Sequence, residues 1–133
     1  MLRGLNPPPV PVEAPDLPLL GLIPKDPMGR QLVAKFFRAL GDPTRLALLE
    51  FCATGERQGT ECVHHVQLSQ GRVASHLACL VTCGLLAVRR EGRSAFYSVR
   101  DQRVLELLRL SQGLVAEQAE QIAACTRVPI SPL

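Results

Sequence analysis

The sequence predicts a mainly α fold with a small β hairpin: a winged helix-turn-helix with extra N- and C-terminal dimerisation helices. Three observations predict it. Apolar residues recur by threes and fours over most of the chain after residue 28. Capping residues Asp42, Ser69 and Asp101 each stand ahead of such a run. Residues 85–90 and 94–99 read as short strands joined through Glu91-Gly92-Arg93, a glycine-bearing hairpin turn.

Residues 1–27 hold eight of the eleven prolines, so a helix cannot propagate there and a mobile or partly polyproline arm is expected. Leu17, Leu19, Leu20, Leu22 and Ile23 leave open that the arm drapes over the folded body. The folded domain is expected over residues 28–125, followed by a tail at 126–133. Leu32, Val33, Phe36, Phe37 and Leu40 mark a first helix from Met28, and Gly41 ends it. Asp42-Pro43 is a capping acid followed by proline at the first helical position. Leu46, Leu49 and Cys52 or Ala53 carry the second helix towards Gly55. A short third helix is expected over residues 60–66 with Thr60 as its cap. Ser69 caps the fourth, whose core stripe is Val73, Leu77 and Leu80 and whose end is Gly84. After the hairpin, Asp101 caps one long final helix in which Val104, Leu107, Leu108, Leu114, Val115, Ala119 and Ile122 repeat. That stripe and the Phe-rich first helix offer more apolar surface than so small a body buries alone. A symmetric homodimer is the simplest remedy.

Composition narrows the class. The 133 residues are 47% hydrophobic and 20% charged, enough for one domain with a real core. A net charge of +3 proves no polyanionic partner, but its placement is telling. Arg89, Arg90, Arg93 and Arg100 face one acid, Glu91, while Asp101, Glu106, Glu117 and Glu120 follow, so a basic edge can sit on a nearly neutral molecule. Five cysteines are an odd number without a secretory signal, which points away from a disulfide framework and towards a reducing cytoplasm. The apolar stretch 17–23 is broken by Pro18 and too short for a membrane span, so no membrane association is expected. No Ser/His/Asp set, phosphate loop or open metal site with a general base is visible, which speaks against an enzyme.

Residues 69–84 carry the chemistry. In a helix-turn-helix the early residues of the second helix meet base edges. Here they include Ser69, Gln70, Arg72, Ser75 and His76. Gln pairs bidentately with adenine and Arg with guanine, and Ser69 and Ser75 suit phosphates. Arg89, Arg90 and Arg93 on the hairpin suit phosphate or the minor groove. Cys79 and Cys83 lie about a quarter-turn from the core stripe, on the flank of Arg72 and His76. Neighbours four apart have β-carbons about 5–6 Å apart, whereas a disulfide wants roughly 3.5–4.5 Å. A metal ion between the sulfurs relaxes that mismatch, because each metal–sulfur bond adds about 2.3 Å or more. Thiolates select soft ions such as Cd, Pb and Hg over Mg or Mn. Cys52 and Cys62 sit on core-directed positions and read as packing. His64 and His65 beside Cys62 leave an alternative site open, a solvated helix face being the commoner explanation.

Three stretches resemble the ArsR/SmtB family of metal-responsive bacterial repressors: Phe37-Arg-Ala-Leu-Gly-Asp-Pro-Thr-Arg-Leu46, Leu68-Ser-Gln-Gly-Arg-Val-Ala-Ser-His-Leu77 and Arg90-Glu-Gly-Arg-Ser-Ala-Phe-Tyr97. They span roughly residues 30–125. Cys79-Leu-Val-Thr-Cys83 is similar to the actinobacterial cadmium- and lead-sensing subgroup, with mercury-sensing relatives in view. The arsenic sensors' Cys-Val-Cys pattern and the zinc and nickel sensors' paired Asp/His sets are missing. The resemblance implies a homodimer on operator DNA, an imperfect palindrome, released by a thiophilic ion (Cd, Pb or Hg rather than Zn). It implies Cys125 as a third ligand with Cys79 and Cys83. Two rivals stay open: a thiol-redox or sulfur-species-responsive repressor using the same cysteines, and a metal-buffering or interaction protein without DNA binding.

Overall fold

The computed structural model describes residues 27–130, in two units that part between Lys35 and Phe36. The expected proline-rich arm lies, except for Pro27, outside the described residues, as do the last three residues of the expected tail. The elements run α1 (Pro27–Leu40), α2 (Pro43–Ala53), β1 (Arg57–Gln58), α3 (Gly59–Val66), α4 (Gln70–Thr82), β2 (Leu86–Glu91), β3 (Ser94–Val99), α5 (Gln102–Glu117) and α6 (Ala119–Ala124). From α2 to β3 this is the predicted winged helix-turn-helix.

The caps read from the sequence form where hydrogen-bond chemistry requires them. The first amides of a helix have no intrahelical partner, and a short side-chain acceptor satisfies one. The Asp42 carboxylate accepts from the Arg45 N–H at 3.1 Å, and Ser69 Oγ accepts from the Arg72 N–H at 3.3 Å. Asp101 accepts from the Arg103 N–H at 2.8 Å and from its guanidinium at 2.7 Å. The guanidinium holds the Asp101 carboxyl down to about 2.

The core gathers one edge of each of α2, α3, α4 and α5. Leu48, Leu49 and Cys52 of α2, Cys62 of α3 and Val73, Leu77 and Leu80 of α4 are buried together. Leu85 and Leu86 bring in the start of the hairpin, and Val104 and Leu108 the start of α5.

Four expectations change. The third helix begins at Gly59, not Thr60, and Gln58 precedes it; the Glu61 carboxylate turns back to accept from the Gln58 N–H at 2.9 Å. Ahead of it, Arg57–Gln58 forms a third strand, with Arg57 opposite Tyr97 and Gln58 opposite Phe96. Two residues are too few for an alternating pattern to register in a sequence. The hairpin pairs Leu86 with Val99 through Glu91 with Ser94, so its loop is only Gly92-Arg93. Gly92 at φ +60° is the residue a two-residue loop with a positive first φ requires. The single final helix is instead two: Gln118, at φ −125° and ψ 21°, leaves the helical region and separates α5 from α6. No proline or glycine marks that break.

The turn between α3 and α4 holds Gln67 at φ 55°, left-handed and not glycine. A Cβ is disfavoured there by about 1–2 kcal/mol, partly offset by the greater chain entropy of glycine. Gln67→Gly is expected to raise stability by about 0.5–1 kcal/mol in urea unfolding. Unchanged or lower stability would show that the Gln67 side chain contributes something the turn geometry does not reveal.

Candidate nucleic-acid interface and thiol site

The buried edge of α4 decides what its other faces offer. With Val73, Leu77 and Leu80 at 2% exposure or less, Gln70, Arg72 and Ser75 stand in solvent. Ser69 is exposed as well; its oxygen caps the helix, and its O–H proton remains available to donate. His76 is half-buried, with Nδ1 at 3.3 Å from Nη1 of Arg45 in α2.

The wing stands beside this helix. A cleft of about 410 Å³ between α3, α4 and β3 is lined by Gln70 and Ala74 on one side and Arg93 and Ser94 on another. Gln58 Nε2 donates to Ser94 Oγ at 3.0 Å, fastening the start of β3 to the start of α3. The three wing arginines part ways. Arg90 and Arg93 are exposed, and among the described residues neither makes an ion pair. Arg89 reaches Glu56 at 2.7 Å and Glu91 at 2.7 Å, and lies over the Phe96 ring at 4.5 Å. Its hydrogen bond to Glu56 lowers that carboxyl, and both carboxylates raise the guanidinium. Arg89, also expected to bind DNA, braces the wing against the turn after α2, which leaves Arg90 and Arg93 as the wing arginines without an ion pair among the described residues. No local pattern in the chain announces this brace, because Glu56 is 33 residues away.

Cys79 and Cys83 stand on consecutive turns, each half-buried and neither in a disulfide. The end of α4 places Cys83 at its cap, where its N–H donates to the Cys79 carbonyl at 2.9 Å. Gly84 follows at φ +80°; its N–H reaches the Val81 carbonyl at 3.1 Å and the Leu85 N–H reaches the Leu80 carbonyl at 2.9 Å. These paired bonds are a Schellman termination, which glycine permits because it has no Cβ. The helix therefore stops one residue short of Cys83, with both thiols on its last turns.

Cys125 caps α6 and is exposed. Among the described residues of one chain, no three His, Cys, Asp or Glu side chains gather into a metal-binding group, so Cys125 does not join Cys79 and Cys83 within it. Cys52 and Cys62 are buried, in keeping with their core-directed positions. The hydrogen bond to Cys62, reinforced by burial, pushes the Cys52 thiol up. His65 stacks on Phe51 at 4.0 Å with an interplanar angle of 5°, and the Arg57 guanidinium lies 4.2 Å from the centre of the same ring. The alternative site at His64 and His65 thus gains no support.

Comparison with known proteins agrees with this architecture. The family described as "Bacterial regulatory protein, arsR family" matches residues 42–88. The chain is 52% identical over 96 residues to a probable mercury resistance operon repressor of Streptomyces lividans, covering 72% of this chain and 77% of that one. It is 32% identical over 101 residues to the HTH-type transcriptional regulator CmtR of Mycobacterium bovis, covering 75% and 86%. The solution structure of the homodimeric winged helix-turn-helix DNA-binding domain of Mb0332 from Mycobacterium bovis superposes with a TM-score of 0.61 at 29% identity, covering 67% of this chain and 82% of that one.

Burial separates the thiols by reactivity. In native, reduced protein, N-ethylmaleimide is expected to modify Cys79 and Cys83 while Cys52 and Cys62 react only once denaturant opens the core. Peptide mass spectrometry reads the order; early labelling of Cys62 would contradict its place in the core.

Proposed function

The chain belongs to the arsR family of bacterial regulatory proteins, and from that premise we propose that it is a homodimeric repressor whose hold on operator DNA ends when a thiophilic ion binds Cys79 and Cys83. It is a transcriptional regulator and not an enzyme. Among the described residues no helix is long and apolar enough to cross a membrane.

One observation carries the proposal: two half-buried thiols end the same helix whose exposed N-terminal half faces outward beside the wing. α4 is 13 residues long, so a constraint on its last turn acts on the body that carries Gln70, Arg72 and Ser75. The donor set fits a soft ion and not a hard one. A bound ion supplies metal–sulfur bonds spanning a gap that a disulfide spans poorly. Cys125 of the partner subunit is the proposed third donor. Among Cd, Pb and Hg, mercury comes first, because the 52%-identical relative is described as a mercury resistance operon repressor.

Exposed apolar side chains support the homodimer. Phe37 of α1, Leu110, Leu114 and Val115 of α5 and Ile122 of α6 are all at least 49% exposed in the single chain. Isolated exposed leucines are ordinary, but such a run along successive helices marks an interface. Gln70, Arg72, Ser75, Arg90 and Arg93 are the proposed DNA contacts, with Ser69 and His76 on phosphate.

The coupling between ion and operator is reciprocal, of about 1–3 kcal/mol or more. Titrating the reduced protein with Hg(II), Cd(II) and Pb(II), while following thiolate-to-metal absorption and operator anisotropy together, tests it. Cys79→Ser or Cys83→Ser is expected to bind operator within about twofold of wild type and to ignore the ion; loss of operator binding would make these cysteines structural. Arg72→Ala is expected to weaken specific binding by about 1–3 kcal/mol and leave ion uptake intact.

A further inference from the structure

Arg45, in the first turn of α2, has a side chain only 19% exposed. A guanidinium that far from water requires partners, and three helices supply them. Its Nε donates to the Ala39 carbonyl at 2.7 Å and its Nη2 to the Arg38 carbonyl at 3.1 Å, both in the last turn of α1. There the helix dipole favours a cation. Its Nη1 lies 4.0 Å from the Asp42 carboxylate and 3.3 Å from Nδ1 of His76 in α4.

The last contact has a chemical consequence. Arginine donates hydrogen bonds and never accepts them, so His76 Nδ1 must present its lone pair to Nη1. The proton of the neutral ring then sits on Nε2. No described protein group partners Nε2, and among the described residues no buried side-chain nitrogen or oxygen lacks a partner, so Nε2 reaches solvent. The ring therefore turns a donor outward. With the other tautomer it would turn out a bare lone pair, which an anionic oxygen repels.

Position selects the oxygen. At about 100° per residue, Gln70 and Ala74 fall on the flank of α4 that lines the cleft beneath the wing, and Arg72 and His76 fall on the opposite flank. A helix in the major groove has a phosphate strand along each flank, while its first residues meet base edges. His76, seven residues after the N-cap, belongs to the strand and not the base edges. Given the operator binding proposed above, we propose that Arg45 is a positioning residue that holds His76 as its Nε2–H tautomer, so that His76 donates to a backbone phosphate oxygen of the operator.

Two measurements on the full chain test this. Long-range ¹H–¹⁵N correlation of the histidine rings, without DNA or metal, is expected to show an unprotonated Nδ1 and a protonated Nε2 at His76. Arg45→Met is expected to shift that ring to a mixture of tautomers. A wild-type Nδ1–H ring, or a spectrum that a folded Arg45→Met leaves unchanged, would overturn the assignment; should Arg45→Met not fold, the wild-type spectrum still decides. In operator titrations, His76→Gln keeps an N–H close to the Nε2 position and is expected to retain more affinity than His76→Leu. His76→Leu is expected to lose about three- to tenfold affinity, equally for operator and unrelated DNA. Failure of wild type to bind operator counts against the regulator proposal itself. Wild-type binding that His76→Leu leaves intact counts against the phosphate contact alone.

Discussion

Val73, Leu77 and Leu80 press one edge of α4 into the core with 2% exposure or less, and this burial orients everything else the helix carries. Rotating the helix to expose any of them would forfeit about 1.5–3 kcal/mol per side chain. The azimuth of α4 is accordingly rigid. Gln70, Arg72 and Ser75 face solvent because they lie off that edge, and His76, Cys79 and Cys83 are half-buried because they flank it. The proposed DNA contacts and the thiols share one helix: Arg72 and His76 lie on the same flank as Cys79 and Cys83, but nearer its N-terminus.

The ends of α4 matter as much as its edge. Ser69 starts the helix and Gly84 stops it, each by satisfying backbone groups that the helix leaves unpaired. Between these limits, the proposed DNA contacts occupy the first turns and the thiols the last. A constraint applied at Cys79 and Cys83 acts through 13 residues of continuous hydrogen-bonded helix, a stiff body, rather than through a loop.

Charge is divided by function along the same lines. Arg89 and Arg45 are held by protein groups and serve the frame: one braces the wing, the other joins the end of α1 to the middle of α4. Arg72, Arg90 and Arg93 remain in solvent, where phosphate is the natural counter-charge. The modest net charge of +3 therefore understates the basic character of this face.

Local signals in the chain were enough for the helix-turn-helix, the hairpin, the three side-chain caps and the buried stripe of α4. Each depends on residues within a few positions of one another, where apolar spacing and capping chemistry act directly. The pair Cys79 and Cys83 was legible for the same reason. The strand at Arg57, the break at Gln118, the brace between Glu56 and Arg89 and the clamp of Arg45 on His76 were not. All but the break join groups from 31 to 40 positions apart, and the break bears no residue that disfavours a helix. Which arginine meets a carboxylate and which stays free is decided by how packed elements approach, and no spacing along the chain encodes that distance.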